Sequence, residues 1–367
     1  MKVNYNNCQK VRLTSSSIGE MFEEKEIVDF IDKHKSVILD KHGLSKGDAL
    51  FLKEFIFPHG KADAVIYGLY KDLYVVPIVI EAKKSIKSGT DLYSYINQLR
   101  ETYEHAFTII YLATNKLVND KKKIISGYLG EMGYGLIEIT RDGIEVSIDA
   151  KPKKTPKSEY DYCQVVSKGL LYLATANVLE RGGFKREHLK VSSVWIGVGA
   201  NISYCGFTRG SYTVFGVYAL SSDYVRQLLK FLLDKKTLVE KLSEAGYRVY
   251  MESYPAMGGV KGYARHIDET LSMNTVEAIY NVIKKNEKLS LIKGWGIGLG
   301  IYKPLWEALF TPSYPTALQM INRAMEDLAD FHDLVARSAR SQADSEEYAS
   351  RSVSKPGQNS DLHGRMQ

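Results

Sequence analysis

Along the first 150 residues, hydrophobic positions switch repeatedly between helical and strand spacing. In "SSSIGEMFEEKEIVDFIDKHK", Ser17-x-x-Glu20 has the form of a capping box. Ile18, Met21, Phe22, Val28 and Ile31 follow at helical intervals. "ALFLKEFIF" reads as a strand stopped by Pro58-His59-Gly60. "GKADAVIYGLYKDLYVVPIVIEAKKS", residues 60–85, reads as two apolar strands around a turn near Lys71-Asp72. "TDLYSYINQLRETYEHA" predicts a helix and "FTIIYLAT" a buried strand. "DKKKIISGYLGEMG" predicts a helix ending in glycine, and "GLIEITRDGIEVSIDA" a hairpin turning at Asp142-Gly143.

The pattern then changes. "KPKKTPKSE", residues 151–159, is basic and proline-bearing and predicts a linker between a domain at 1–150 and an α+β domain at 160–337. In the second domain, "VSKGLLYLATANVLERGGF" reads as helix and "SVWIGVGANISYCGFTRGSYTVFGVYAL" as glycine- and aromatic-rich β-structure. "SSDYVRQLLKFLLDKKTLVEKLSEAGY" reads as one amphipathic helix ending at Gly246, and helical spacing recurs at 269–286 and 315–337. The tail, 338–367, is polar and almost without large aliphatic residues, which predicts disorder. "GWGIGLG" alternates with period two, as in a glycine-rich strand, and lacks the spacing of a dinucleotide loop, so no nucleotide cofactor is expected. "MGGVKGYARH", residues 257–266, reads as an exposed turn, and the tyrosines of 204–224 as strand packing.

Composition narrows the class. A chain of 367 residues with 44% hydrophobic and 25% charged residues can build a globular core. It holds no apolar run of about 20 residues, and its N-terminus lacks a signal peptide's apolar segment, so no membrane partner and a cytoplasmic location are expected. Cys8, Cys163 and Cys205 are too few and too scattered for a disulfide framework or zinc finger. The net charge of +6 suits a nucleic-acid partner without requiring one.

The chemistry concentrates in the 60–85 hairpin. If its turn centres on Asp72, opposed residues have numbers that sum to 144, which places Asp63 opposite Glu81. Side chains alternate along a strand, so Glu81 and Lys83 share a face. Two carboxylates and a lysine then converge at one end of an apolar sheet. Clustered carboxylates repel one another and favour a cation, for which Mg²⁺ is suited. A bare Glu-x-Lys triplet is common in charged loops; its conjunction with Asp63 and the flanking helices carries the weight.

With these residues in this order, the chain resembles the PD-(D/E)XK, or restriction endonuclease-like, nuclease superfamily, whose core runs αβββαβ. The order expected over 17–114 matches it. "FEEKEIVDFI" looks like the first helix of archaeal Holliday junction resolvases and restriction-type nucleases, which carries a glutamate before an aliphatic pair. That pattern falls on Glu24, with Glu23 as the alternative. Two positions depart from the family: Ala62 stands where a proline usually precedes the aspartate, and Gln98 and Tyr103 are five apart rather than four as in the RecB-like branch. Tyr103 is therefore read as a packing residue. The resemblance implies that Asp63, Glu81 and the Ala82 carbonyl hold Mg²⁺, or Mn²⁺ as a substitute. It implies that Glu24 holds a second metal or a metal-bound water. Lys83 would orient or deprotonate the attacking water, and Gln98 would touch a phosphate. The expected function is a Mg²⁺-dependent DNA endonuclease, and the resemblance implies a homodimer, as such nucleases often form; the alternative is an inactive nucleic-acid-binding or assembly protein on the same fold.

Overall fold

Glu24–Lys41 forms the first helix, α1, and its start is fixed by the side chain before it. Glu23 is the N-cap of a capping box with Glu26, and Glu24 and Glu26 place negative charge at the positive end of the helix. The computed structural model describes residues 21–140, 142–192, 194–209, 211–253, 267–285 and 297–340. The expected Ser17–Glu20 cap lies outside these residues, but 21–23 are not helical, so the helix begins later than its apolar spacing predicts. Ile27, Val28, Ile31, Ile38 and Leu39 form the buried stripe of α1, each contributing roughly 2 kcal/mol through burial.

The chain continues through β1 (Leu44–Phe57), β2 (Gly60–Tyr70), β3 (Tyr74–Lys83), α2 (Gly89–Gln98), β4 (Ile109–Asn115), α3 (Asn119–Met132), β5 (Gly135–Thr140) and β6 (Gly143–Ile148). Its six strands lie in sequence order. β1, β2 and β3 are antiparallel, β4 and β5 run parallel to β3, and β6 returns as a hairpin. α1 packs on one face, against Ala64, Ile66, Ile78, Ile80 and Ala82. α2 lies on the other, whose core includes Val65, Tyr67 and Val79. The α/β class expected from the pattern is observed, with helix, three strands, helix and strand in the expected order.

A 23-residue helix, α4 (Glu159–Arg181), follows and is buried along most of its length. The segment before it is tied down: the Lys153 and Lys157 amides donate to the Thr108 and Glu104 carbonyls at 2.9 and 2.7 Å. α4 packs on the first sheet, where Gly169 leaves room for the Tyr67 ring; a Cβ there would lie 2.2 Å from Tyr67 Cδ1. It also contacts the second sheet, where the Trp306 indole donates to Ser167 Oγ at 2.9 Å. One hydrophobic core thus runs through both halves of the chain.

The second sheet is antiparallel, in the order β12 (Ile267–Thr270), β11 (Arg248–Ser253), β13 (Ile297–Glu307), β10 (Tyr212–Leu220), β9 (Ile202–Arg209), β8 (Trp195–Val198), β7 (Lys190–Val191). Gly298 and Gly300 of "GWGIGLG" sit in β13 against the Tyr218 ring; a Cβ on Gly298 would fall 2.0 Å from the Tyr218 hydroxyl oxygen. The single helix expected over 221–246 is two, α5 (Ser222–Asp234) and α6 (Lys236–Glu244), broken at Lys235, which leaves helical geometry and pairs with Asp330 at 2.7 Å. α7 (Met273–Lys285) and α8 (Tyr314–Asp327) complete the helices that carry names. Residues 332–340 are also helical, and Ser338 Oγ accepts the Asn201 and Ile202 amides, so the ordered chain passes the expected boundary at 337. The 257–266 turn and residues 341–367 lie outside the described residues. Among the described residues, no helix is long and apolar enough to cross a membrane, and Cys163 and Cys205 are free thiols.

Candidate active site

The β2–β3 register follows the sum of 144: Tyr70 pairs with Tyr74 and the ladder runs to Ala64–Ile80. Asp63 and Glu81 are the next residues on each strand, just past the last backbone pair. There Asp63 Oδ2 accepts the Ala82 amide at 2.8 Å, a side chain taking the place of a ladder carbonyl. Asp63 and Ala82 therefore face each other where the two strands part.

Glu81 is almost fully buried and receives three side-chain donors. Lys83 Nζ and Gln98 Nε2 reach Oε1 at 2.5 and 2.7 Å, and the Tyr103 hydroxyl donates to Oε2. Tyr103 follows α2 on a π-helical turn, Leu99–Tyr103. Five-residue periodicity brings positions 98 and 103 to the same side, where an uninterrupted α-helix would rotate Tyr103 away. Tyr103 is fully buried, as expected of a packing residue, yet its hydroxyl joins the polar cluster. Its role was hidden because spacing alone gives no signal of a π-turn.

Glu24 reaches this end of the sheet through Asn115. The Asn115 side chain accepts the Phe22 amide at 2.9 Å and donates to the Phe22 and Lys84 carbonyls, both at 2.8 Å. This clamps the entrance of α1 to the end of β3, and Glu24 Oε1 lies 3.4 Å from the Lys84 amide. Glu23 caps α1 and pairs with Lys84, so it is occupied structurally. Glu24 stands in the first turn of α1, directly after the Glu23 cap. Asn115, at the end of β4, had no sequence signal beyond ending a buried strand.

The electrostatics follow from burial and proximity. Burial and the Glu81 charge raise the Asp63 carboxyl above its ordinary pKa, outweighing the Ala82 amide and Lys83. Burial pulls the Lys83 ammonium down, but the Glu81 hydrogen bond and the charges of Glu81, Asp63 and Glu24 carry it above its ordinary value. Burial, then Glu81, raises the Tyr103 phenol, which stays protonated and donates. Lys83 also lies over the Tyr95 ring, 5.5 Å from its centroid.

No protein-family model matches the chain, and no curated protein matches it. Among solved structures, a protein of unknown function from Silicibacter pomeroyi is similar over 45% of this chain and 97% of that one, at 15% identity and a TM-score of 0.26. A likeness that slight says nothing of activity.

The structure thus brings Asp63, Glu81, Lys83 and Gln98 together, with Glu24 at the margin and Tyr103 added. Two polar contacts lie outside this cluster. Lys122 pairs at 2.6 Å with Glu138, which is fully buried. His59 sits in the expected turn and bonds through Nε2 to Asp161 Oδ2 at 2.7 Å.

Proposed function

We propose that the chain is a Mg²⁺-dependent endonuclease that hydrolyses phosphodiester bonds in DNA, on a restriction-endonuclease-like core. The observation that carries this reading is the convergence of Asp63, Glu81 and Lys83 where β2 and β3 part. The donor set fits Mg²⁺: carboxylates from adjacent strands oppose each other's ionisation, and a hard cation relieves that repulsion. Asp63, Glu81 and the Ala82 carbonyl would hold Mg²⁺, with Mn²⁺ as substitute, and Glu24 a second ion or its bound water. The bound ion would activate water and offset charge developing on the phosphoryl oxygens.

The chain's own residues divide the remaining work. Lys83, held protonated beside Glu81, is a poor base; it orients the attacking water and offsets negative charge in the transition state. Gln98 and Tyr103 fix the Glu81 carboxylate from both oxygens, so its geometry is set before any substrate arrives. Cutting both strands of a duplex calls for two such sites, which a homodimer supplies.

A second reading rests on Glu81. Both of its oxygens already accept hydrogen bonds, which suits a chain that binds nucleic acid without cleaving it. Incubation with duplex, single-stranded and branched DNA, in Mg²⁺ or EDTA, separates the two. Mg²⁺-dependent nicking that Asp63→Ala abolishes supports the enzyme. Binding with no nicking on any substrate supports the second reading.

A further inference from the structure

His59, His105 and Asp161 lie apart from the Asp63 cluster in contacts and in chemistry. Each offers one ligand atom, and these atoms all lie within 4.8 Å of one another. Three elements bring them together. His59 sits in the turn between β1 and β2, His105 follows the π-turn by two residues, and Asp161 stands in the first turn of α4. His59 Nε2 and Asp161 Oδ2 are 2.7 Å apart, and the two imidazole rings stack with centroids 4.3 Å apart at 26°.

The carboxylate is prepared for ligation. Asp161 is buried, which raises its pKa, but the Ser158 and His59 hydrogen bonds and the nearby imidazoles outweigh burial and keep it below its ordinary value. Its own amide donates to Ser158 Oγ at 3.2 Å, so the backbone at Asp161 is anchored by the α4 cap. His59 is exposed and His105 half-buried, which leaves the cluster open to solvent on the histidine side.

We propose that His59, His105 and Asp161 bind a borderline divalent transition metal, with Zn²⁺ as the best match. Two imidazoles and one carboxylate are the ligand types that such ions favour over Mg²⁺, and three protein ligands leave a fourth position for water. Tetrahedral coordination at Zn–N and Zn–O lengths near 2.0–2.1 Å sets ligand atoms about 3.4 Å apart. To reach that geometry the His59–Asp161 pair opens from 2.7 Å, and any wider separation, all within 4.8 Å, closes. Coordination takes an imidazole lone pair, so the proton shared by His59 and Asp161 is lost from that bond when the metal enters. The ion replaces one hydrogen bond with a three-way tie between the β1–β2 turn, the segment after the π-turn and the start of α4. It thereby stabilises the junction between the first sheet and the helix that carries the second. The plainer reading, an ion pair beside a stacked ring, requires no metal and predicts no metal dependence.

The test uses the full chain, stripped with a chelator and titrated with Zn²⁺ alone in excess Mg²⁺, by calorimetry and by metal analysis after gel filtration. One Zn²⁺ per chain is expected, with a rise in melting temperature on loading. His59→Gln and His105→Gln should each weaken binding at least about tenfold, given that even outer partners of metal ligands are worth 10–100-fold. Glu81→Gln should bind Zn²⁺ as the wild type does, which separates this site from the proposed Mg²⁺ site. Wild-type protein that takes up no stoichiometric Zn²⁺ overturns the proposal, whatever the variants do. Uptake unchanged in both histidine variants, or lost in Glu81→Gln, overturns it equally.

Discussion

Gln98 and Tyr103, five residues apart, both donate to the carboxylate of Glu81. The π-turn at Leu99–Tyr103 makes this geometry, since it adds a residue without turning the second donor away from the sheet. Such turns are often found at functional sites, and this one closes the donor shell of a buried acid.

Tyr103→Phe keeps the ring packed against Phe57 and Phe107 but removes a donor to Glu81. A buried carboxylate left short of a partner costs about 1–3 kcal/mol. Urea denaturation at neutral pH should show a loss of that size, and an unchanged midpoint would mean that the hydroxyl does not support Glu81.

The raised pKa of Asp63 gives a signed pH effect. Folding favours its protonated form, so its contribution to stability is full below the unfolded pKa and falls as pH rises through the folded value. Asp63→Asn cannot ionise, and its amide oxygen still accepts the Ala82 amide. The variant should therefore gain on the wild type as pH rises through the carboxylate range, and Mg²⁺ should narrow the gap. Parallel denaturation curves across that range check this; a gap that shrinks with rising pH contradicts it.

Gly169 tests the shared core. A Cβ at this position meets the Tyr67 ring, which is fully buried and bonded through its hydroxyl to the Val165 carbonyl at 3.1 Å, so it has no room to withdraw. Gly169→Ala should cost roughly 1–3 kcal/mol through overpacking. Both halves should lose stability in one transition, measurable by thermal denaturation followed at two probes. Separate transitions would show that α4 does not couple the sheets.

Much of this was legible in the sequence, for identifiable reasons. The β2–β3 register followed from one turn position, because antiparallel pairing is a fixed sum and side chains alternate. The glycines at 298 and 300 were read as strand residues from their period, although only the structure shows that they make room for Tyr218. What sequence missed depends on contacts between distant residues. Asn115 clamps Phe22 to Lys84 across 93 and 31 positions. The break at Lys235 leaves Leu228, Leu232, Leu238 and Leu242 in unbroken helical phase, so spacing could not reveal it. The start of α1 was misplaced because Ile18, Met21 and Phe22 mimic a helical stripe while the cap belongs to Glu23.

Lys83 distinguishes charge stabilisation from simple structure. Lys83→Met removes the cation beside Glu81 and should lower the nicking rate about 10²–10³-fold, the usual cost of one lost stabilising donor at a transition state. DNA affinity should stay within a few-fold. Single-turnover rates at saturating DNA measure the first and a binding titration the second. Equal losses in rate and affinity would make Lys83 a binding residue.

The most direct measurement is nicking of supercoiled, branched and single-stranded DNA by wild type and Asp63→Ala, each in Mg²⁺ and in EDTA. The account predicts cleavage by the wild type in Mg²⁺ only, and none by Asp63→Ala. Equal cleavage by both proteins, or none by the wild type on any substrate, contradicts it.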